Sequence, residues 1–167
     1  AGLLGPLDFL RNLEPGDIQE NLTANLVGAA VGLQRFLERT RNIPVPKLYL
    51  QISSGAALPE RVKPGWSLYC ASKSGQEQLV RTVAAEQFHE EHPAMLVNLN
   101  PGLMETGMQR LIRSTSKEAF PDVDKFIDFK ESGRVPSPEA VAASIASLVD
   151  RFQSLDNGAS YQIADFQ

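Results

Sequence analysis

Cysteine occurs once, at Cys70, and histidine twice, at His89 and His92. A lone cysteine closes no internal disulfide, which fits a reducing compartment, and on a helix it reads as a small buried hydrophobe. The two histidines stand at a helix end just before Pro93, where such residues serve the C-terminal carbonyls. With no third histidine to complete a ligand set, no metal site is expected. No apolar run approaches the roughly 18 residues of a membrane span, and no basic segment precedes an apolar stretch at the N-terminus. Sixteen basic and twenty acidic residues give a net charge of −4 and a pI near 5.2. Without a Lys/Arg cluster, this balance argues against a nucleic-acid or anionic-membrane partner. These absences together predict a soluble, cytoplasmic protein. One further absence concerns nucleotides: no GxGxxG or GxxxGxG follows a strand pattern, and Gly28 and Gly32 fall inside a helical one.

What is present is ordinary for a globular chain. Of 167 residues, 43% are hydrophobic and 22% charged, enough for one domain with a substantial core. Residues 1–16 read as loop with a short helical piece, Leu7 to Leu13. From Asp17, taken as an N-cap after Pro15-Gly16, to about Arg39, Leu22, Leu26, Ala29, Leu33 and Phe36 recur at helical spacing. Asn25 lies beside this stripe. Asn21-Leu22-Thr23 matches a glycosylation sequon, but inside a helical pattern it reads as chance.

After a turn at Ile43–Pro46, Lys47 to Ser53 has the apolar character of a buried parallel strand. A helix is predicted from Ser67 to Glu91, with Leu79, Val80, Val83, Ala84 and Phe88 on its apolar face. Ala94 to Leu99 is the next strand. Two short amphipathic helices, about Thr106–Arg113 and Asp122–Lys130, read as a lid. Ser137-Pro138-Glu139 starts a helix running to about Phe152, and Asp156-Asn157-Gly158 turns the chain into a strand at Ser160–Ile163. The alternation of helices and strands predicts an α/β fold with a parallel sheet covered on both faces.

Within this frame, Tyr69-Cys70-Ala71-Ser72-Lys73 places a phenol and an ammonium one helical turn apart on one face. A phenol titrates near ~10, so it exchanges protons poorly at neutral pH unless its anion is favoured. A cation one turn away favours it, as does a place in the first helical turn. By itself the spacing is also that of an exposed tyrosine beside a solvated lysine. Ser53-Ser54 ends the first strand pattern, where open α/β sheets place ligands. Turn chemistry would account for the two hydroxyls as well. Asn100-Pro101-Gly102-Leu103-Met104-Glu105-Thr106 follows the second strand, and Thr106 doubles as a helix N-cap.

Asn25, then Ser54, then Tyr69 and Lys73, then the Pro101–Thr106 stretch, in that order, resembles the short-chain dehydrogenase/reductase family. The run Lys63-Pro64-Gly65-Trp66-Ser67-Leu68-Tyr69-Cys70-Ala71 is most similar to its sepiapterin reductase branch. The opening Ala1-Gly2 resembles the end of the family's Asn-Asn-Ala-Gly turn. On that resemblance the chain is the C-terminal part of a Rossmann-like, doubly wound domain, apparently truncated at its N-terminus.

The resemblance also implies the chemistry. Tyr69 is general acid, Ser54 bonds the reacting oxygen, Lys73 favours the phenolate and holds the nicotinamide ribose, and Asn25 props a relay water. Pro101, Gly102, Leu103 and Thr106 would contact an NADP cofactor. Trp66 and Met104 would wall the substrate site, and Asp165 would anchor a pterin-like edge unless it is only a solvated terminal residue. A homodimer is implied in the same way. The stretch from Ser54 to Tyr69 is longer than in that branch, with the extra residues in a surface loop at Pro59–Pro64. The competing expectation is a non-catalytic, partner-binding module unable to hold the dinucleotide by itself.

Overall fold

The computed structural model describes residues 2–166; Ala1, one of the two residues that resemble the end of that turn, lies outside them. Three parallel strands lie in the order β1-β2-β3: β1 (Leu48–Ile52), β2 (Met95–Asn100) and β3 (Ser160–Gln162). Leu48 pairs with Met95 and Ile52 with Leu99, while Asn98 pairs with Ser160. Parallel neighbours need long crossovers, and here each crossover carries helices.

The period-two alternation of a strand sorts side chains to two covered faces. Leu96 and Tyr49 pack with Leu33, Val80 and Ala84, from helices α2 (Gly28–Thr40) and α3 (Ser67–Glu86). Val97, Leu99, Leu48 and Leu50 pack with Leu148 and Ile145 of α6 (Pro138–Asp150) on the opposite face. This is the doubly wound α/β arrangement. Among the described residues no helix is long and apolar enough to cross a membrane.

A third apolar cluster stands beyond the C-terminal ends of the strands. Leu4, Trp66, Tyr69, Ile112, Phe120 and Phe126 form it, the last residues coming from α4 (Gly107–Ser114), α5 (Val123–Glu131) and the loop between them. Trp66 stacks on Phe120 with ring centroids 5.1 Å apart and meets Tyr69 edge-on at 5.6 Å. The lid is thus an aromatic layer resting directly on the Tyr69 end of α3.

Several boundaries differ from expectation, each for a local reason. The segment Leu7–Leu13 holds only a turn of tight helix, Leu10–Asn12. The first long helix begins at Pro15 as α1 (Pro15–Leu22), with Glu14 as N-cap. Asp17 stands at the third helical position and accepts from the Glu14 N–H at 3.1 Å. The helix does not run evenly to Arg39, because Thr23–Val27 widens into a π-turn before α2. Helix α3 ends at Glu86 and tightens to a 3-10 turn, Gln87–His89. That change of pitch swings Phe88 out of the apolar stripe, and it is 83% exposed. Ser72 and Gly75 face inward, and a Cβ on Gly75 would sit 3.1 Å from Leu26, so these small residues let α3 approach the π-turn.

Candidate active site

A cleft of about 1150 Å³ opens at the C-terminal ends of β1 and β2, under the aromatic lid. Asn25, Ser54, Tyr69 and Lys73 line it, and so do Trp66, Met104, Thr106 and the Pro101-Gly102-Leu103 turn. Ten of the residues singled out in the sequence thereby meet in one place. Asp165 does not join them. It is exposed beyond β3, and its carboxylate accepts from the Gln162 N–H at 3.0 Å, closing a local turn.

The two serines at the end of β1 are separated by their partners. Ser53 Oγ donates to the buried Glu77 carboxylate at 2.5 Å. Glu77 also takes Arg81 at 2.7 Å and Ser160 at 3.1 Å. Ser54 Oγ accepts from the Ala56 N–H at 3.1 Å, and its hydroxyl stands near enough to the Tyr69 phenol to favour the phenol's anion. Both serines line the cleft, but the Ser53 hydroxyl is committed to the buried Glu77 network.

Burial governs the ionisation of the reacting pair. Desolvation pushes the Tyr69 phenol above its ordinary value, and the nearby Ser54 hydroxyl offsets this only in part. Proximity to Lys73 and to the helix start does not reverse that balance, contrary to the expected bias toward phenolate. Lys73 Nζ lies over the Tyr69 ring, 5.8 Å from its centroid. Desolvation lowers Lys73 to about 8. Its ammonium donates to the Ile52 carbonyl at 2.9 Å and to Gln76 Oε1 at 3.1 Å.

Asn25 is buried in the π-turn and bound on all sides. Its amide donates to the Leu3 carbonyl at 2.7 Å, to Asn21 at 3.1 Å and to Ser72 at 3.3 Å, and it accepts from the Leu3 N–H at 2.7 Å. Its side chain thus ties the N-terminal segment to the helices. Its main-chain carbonyl accepts from Gln76 Nε2 at 2.5 Å. Asn21 of the sequon is wholly buried, donating to the carbonyls of Leu3, Leu4 and Gly5.

Gly102 sits at φ +71°, and its N–H donates to Asn100 Oδ1 at 3.0 Å. That left-handed turn suits glycine and brings Thr106 round to the cleft. Thr106 is the residue before α4, yet its hydroxyl makes no capping bond. These features fit the nicotinamide end of a dinucleotide: a free hydroxyl, an open turn and a lysine with one N–H to spare. Cys70 packs against the aromatic cluster, and burial raises its thiol. Among the described residues no cluster of three potential metal ligands occurs.

Sequence reasoning missed Gln76, Gln51, Gln109, Arg61 and Lys63, all of which line the cleft. Glutamines inside an amphipathic pattern carry no motif. The two cations stand in the loop that read simply as a longer surface excursion. Lys63 lies over the rings of Trp66 and Phe126, at 5.5 and 5.3 Å from their centroids.

Comparison with known proteins agrees with this geometry. No family model matches the chain. A benzil reductase ((S)-benzoin forming) of Bacillus subtilis is 33% identical over 166 residues, covering 99% of this chain and 67% of that protein. Sepiapterin reductase of Bos taurus is 29% identical over 160 residues, covering 92% of this chain and 57% of that protein. The crystal structure of the KRED1-Pglu enzyme superimposes with a TM-score of 0.81 at 25% identity, covering 96% of this chain and 65% of that one. A short-chain dehydrogenase of Shigella flexneri, solved in complex with NADP, has the same fold at a TM-score of 0.70 and 20% identity. The chain spans about two thirds or less of the length of these relatives. Shared sequence along nearly the whole chain, the matching fold and the convergent serine, tyrosine and lysine place it in the short-chain dehydrogenase/reductase family of oxidoreductases.

Proposed function

We propose that the protein is an NADPH-dependent carbonyl reductase acting on a ketone or dicarbonyl, with Tyr69 as general acid. The observation that carries this reading is the convergence of Ser54, Tyr69 and Lys73 on one cleft. A nicotinamide cofactor, when bound, supplies the hydride. Tyr69 is held protonated at neutral pH by its burial, the form that can give a proton to the carbonyl oxygen as charge develops there. Ser54 donates to the same oxygen. Lys73 keeps a positive charge beside the phenol up to about pH 8 and offers its remaining N–H to the ribose. Thr106 and the Pro101-Gly102-Leu103 turn would hold the carboxamide end. None of these residues separates NADP from NAD, so the choice of NADPH rests on family resemblance.

Trp66, Met104, Phe126 and Phe129 give the cleft apolar and aromatic walls. With Asp165 outside it, the substrate we favour is an aromatic dicarbonyl rather than a pterin, in line with the benzil reductase relative. A cytoplasmic homodimer extends the same reading by family resemblance.

One observation favours a second reading, a partner-binding module without turnover. Among the described residues β1 is paired on one edge only, and Val27, Val31 and Ile52 are exposed beside it. NADPH binding separates the two. Trp66 is the only tryptophan and lines the cleft, so bound NADPH would quench it by energy transfer. Saturable transfer that Lys73→Ala weakens supports the reductase; its absence supports the module.

A further inference from the structure

Lys73 is 5% exposed and carries a charge that burial disfavours. An ammonium has three donors, and each needs an acceptor when water is excluded. Among the described residues two are supplied: the Ile52 carbonyl at the end of β1, and Gln76 Oε1, one turn further along α3. Among the described residues no carboxylate shares the task. Glu77, next in sequence, turns its carboxylate to Ser53, Arg81 and Ser160. The π-turn presents Asn25, and the end of β1 presents Gln51, Ile52 and Ser54, all uncharged. Tyr69 is the titratable neighbour on α3 itself. Arg61 and Lys63 line the cleft from the loop, Lys63 paired with Asp122 at 3.5 Å.

Gln76 is held with one end fixed. Its Nε2 donates to the Asn25 main-chain carbonyl at 2.5 Å, while its Oε1 accepts from both Lys73 and Gln51 Nε2, each at 3.1 Å. Reversing the amide would set an NH₂ against an ammonium and an amide donor, and an oxygen against a carbonyl. Only one orientation satisfies all three partners. The π-turn at Thr23–Val27 therefore acts on Lys73 at one remove, through an amide whose direction it dictates.

We infer that Gln76 is a positioning residue for the reaction: it holds Lys73 as an ammonium beside Tyr69, keyed by the Asn25 carbonyl. Asn25 contributes through its backbone to Gln76, and Gln76 through its oxygen to Lys73. The arrangement leaves one Lys73 N–H for the cleft. The inference rests on Tyr69 and Lys73 being the reacting pair, but Gln76's hold on Lys73 can be measured without turnover.

The test is the titration of Lys73 Nζ by ¹⁵N NMR in wild type, Gln76→Leu and Gln76→Glu, with Lys73→Arg assigning the resonance. Losing an acceptor from a charged donor should lower the midpoint by about one pH unit in Gln76→Leu. Gln76→Glu, nearly the same shape, should raise it by about one unit or more, and serves if the leucine variant does not fold. The alkaline limb of the kcat profile should move with the NMR midpoint in both variants. A Lys73 midpoint that stays put in the variants, within about 0.2 unit, overturns the inference. If the midpoints move while wild type reduces no carbonyl substrate, Gln76's hold on Lys73 stands and the reductase reading fails.

Discussion

Ser53 and Ser54 are neighbours at the end of β1, yet Ser53 gives its hydroxyl to the buried Glu77 carboxylate at 2.5 Å, while Ser54 meets the Tyr69 phenol. One residue of strand register thus divides a structural hydroxyl from a chemical one. Ser54→Ala is expected to cut turnover by roughly 10²-fold with little loss of stability. Ser53→Ala leaves Glu77 short of a donor and is expected to cost about 1–3 kcal/mol of stability. Urea unfolding and steady-state kinetics on both variants check the assignment; the opposite pattern would exchange the roles.

The reduction rate should be level through neutral pH and fall above about pH 8 as Lys73 loses its proton, Tyr69 staying protonated throughout. Stability carries the same signature with the opposite slope. Lys73 titrates near 8 when folded and near its ordinary 10.5 when unfolded, so between those values the unfolded chain binds more protons. Wild type should therefore gain stability relative to Lys73→Met as pH rises through that window, by about 3 kcal/mol at most. Denaturation at pH 7.5 and pH 10, run on both proteins, measures it (~2.5 pH units apart). Parallel curves would show that Lys73 is not desolvated.

Gly65 enters the lid at φ +86°, and a Cβ there would lie 2.3 Å from the Ala119 carbonyl oxygen. Neither the backbone angle nor the space admits a side chain. Gly65→Ala is expected to lose about 1–3 kcal/mol and to raise KM for an aromatic substrate, because Trp66 follows directly. Denaturant titration and kinetics test this; unchanged values would mean the lid does not need this turn.

Much of the architecture was legible because it depends on local pattern. Apolar strand runs, helical stripes and the Ser137-Pro138 start each encode their own element. The cleft was legible through its family resemblance, and Thr106 gains force from a hydroxyl free of capping duty. Gln76 was not legible. A glutamine within α3 becomes informative only when the Asn25 carbonyl and Lys73 are brought to its two ends. Phe88 was misplaced because the change of helical pitch after Glu86 depends on how the chain turns toward β2. Asp165 lay near the chain's end, where sequence could not say which side of β3 its carboxylate would take.

Because Asp165 lies outside the cleft and, among the described residues, serves only the Gln162 N–H, Asp165→Ala should leave kcat and KM for an aromatic diketone within about twofold of wild type. A tenfold rise in KM, about 1.4 kcal/mol, would return the residue to the substrate site.

The central claim is tested most directly by NADPH oxidation with an aromatic vicinal diketone, comparing wild type with Tyr69→Phe. Wild type should consume NADPH in step with hydroxyketone formation. Tyr69→Phe, which keeps the ring contact with Trp66, should still quench Trp66 fluorescence on binding NADPH but reduce the diketone roughly 10²–10⁴-fold more slowly. Equal rates for the two proteins would contradict the assignment of Tyr69 as the proton donor.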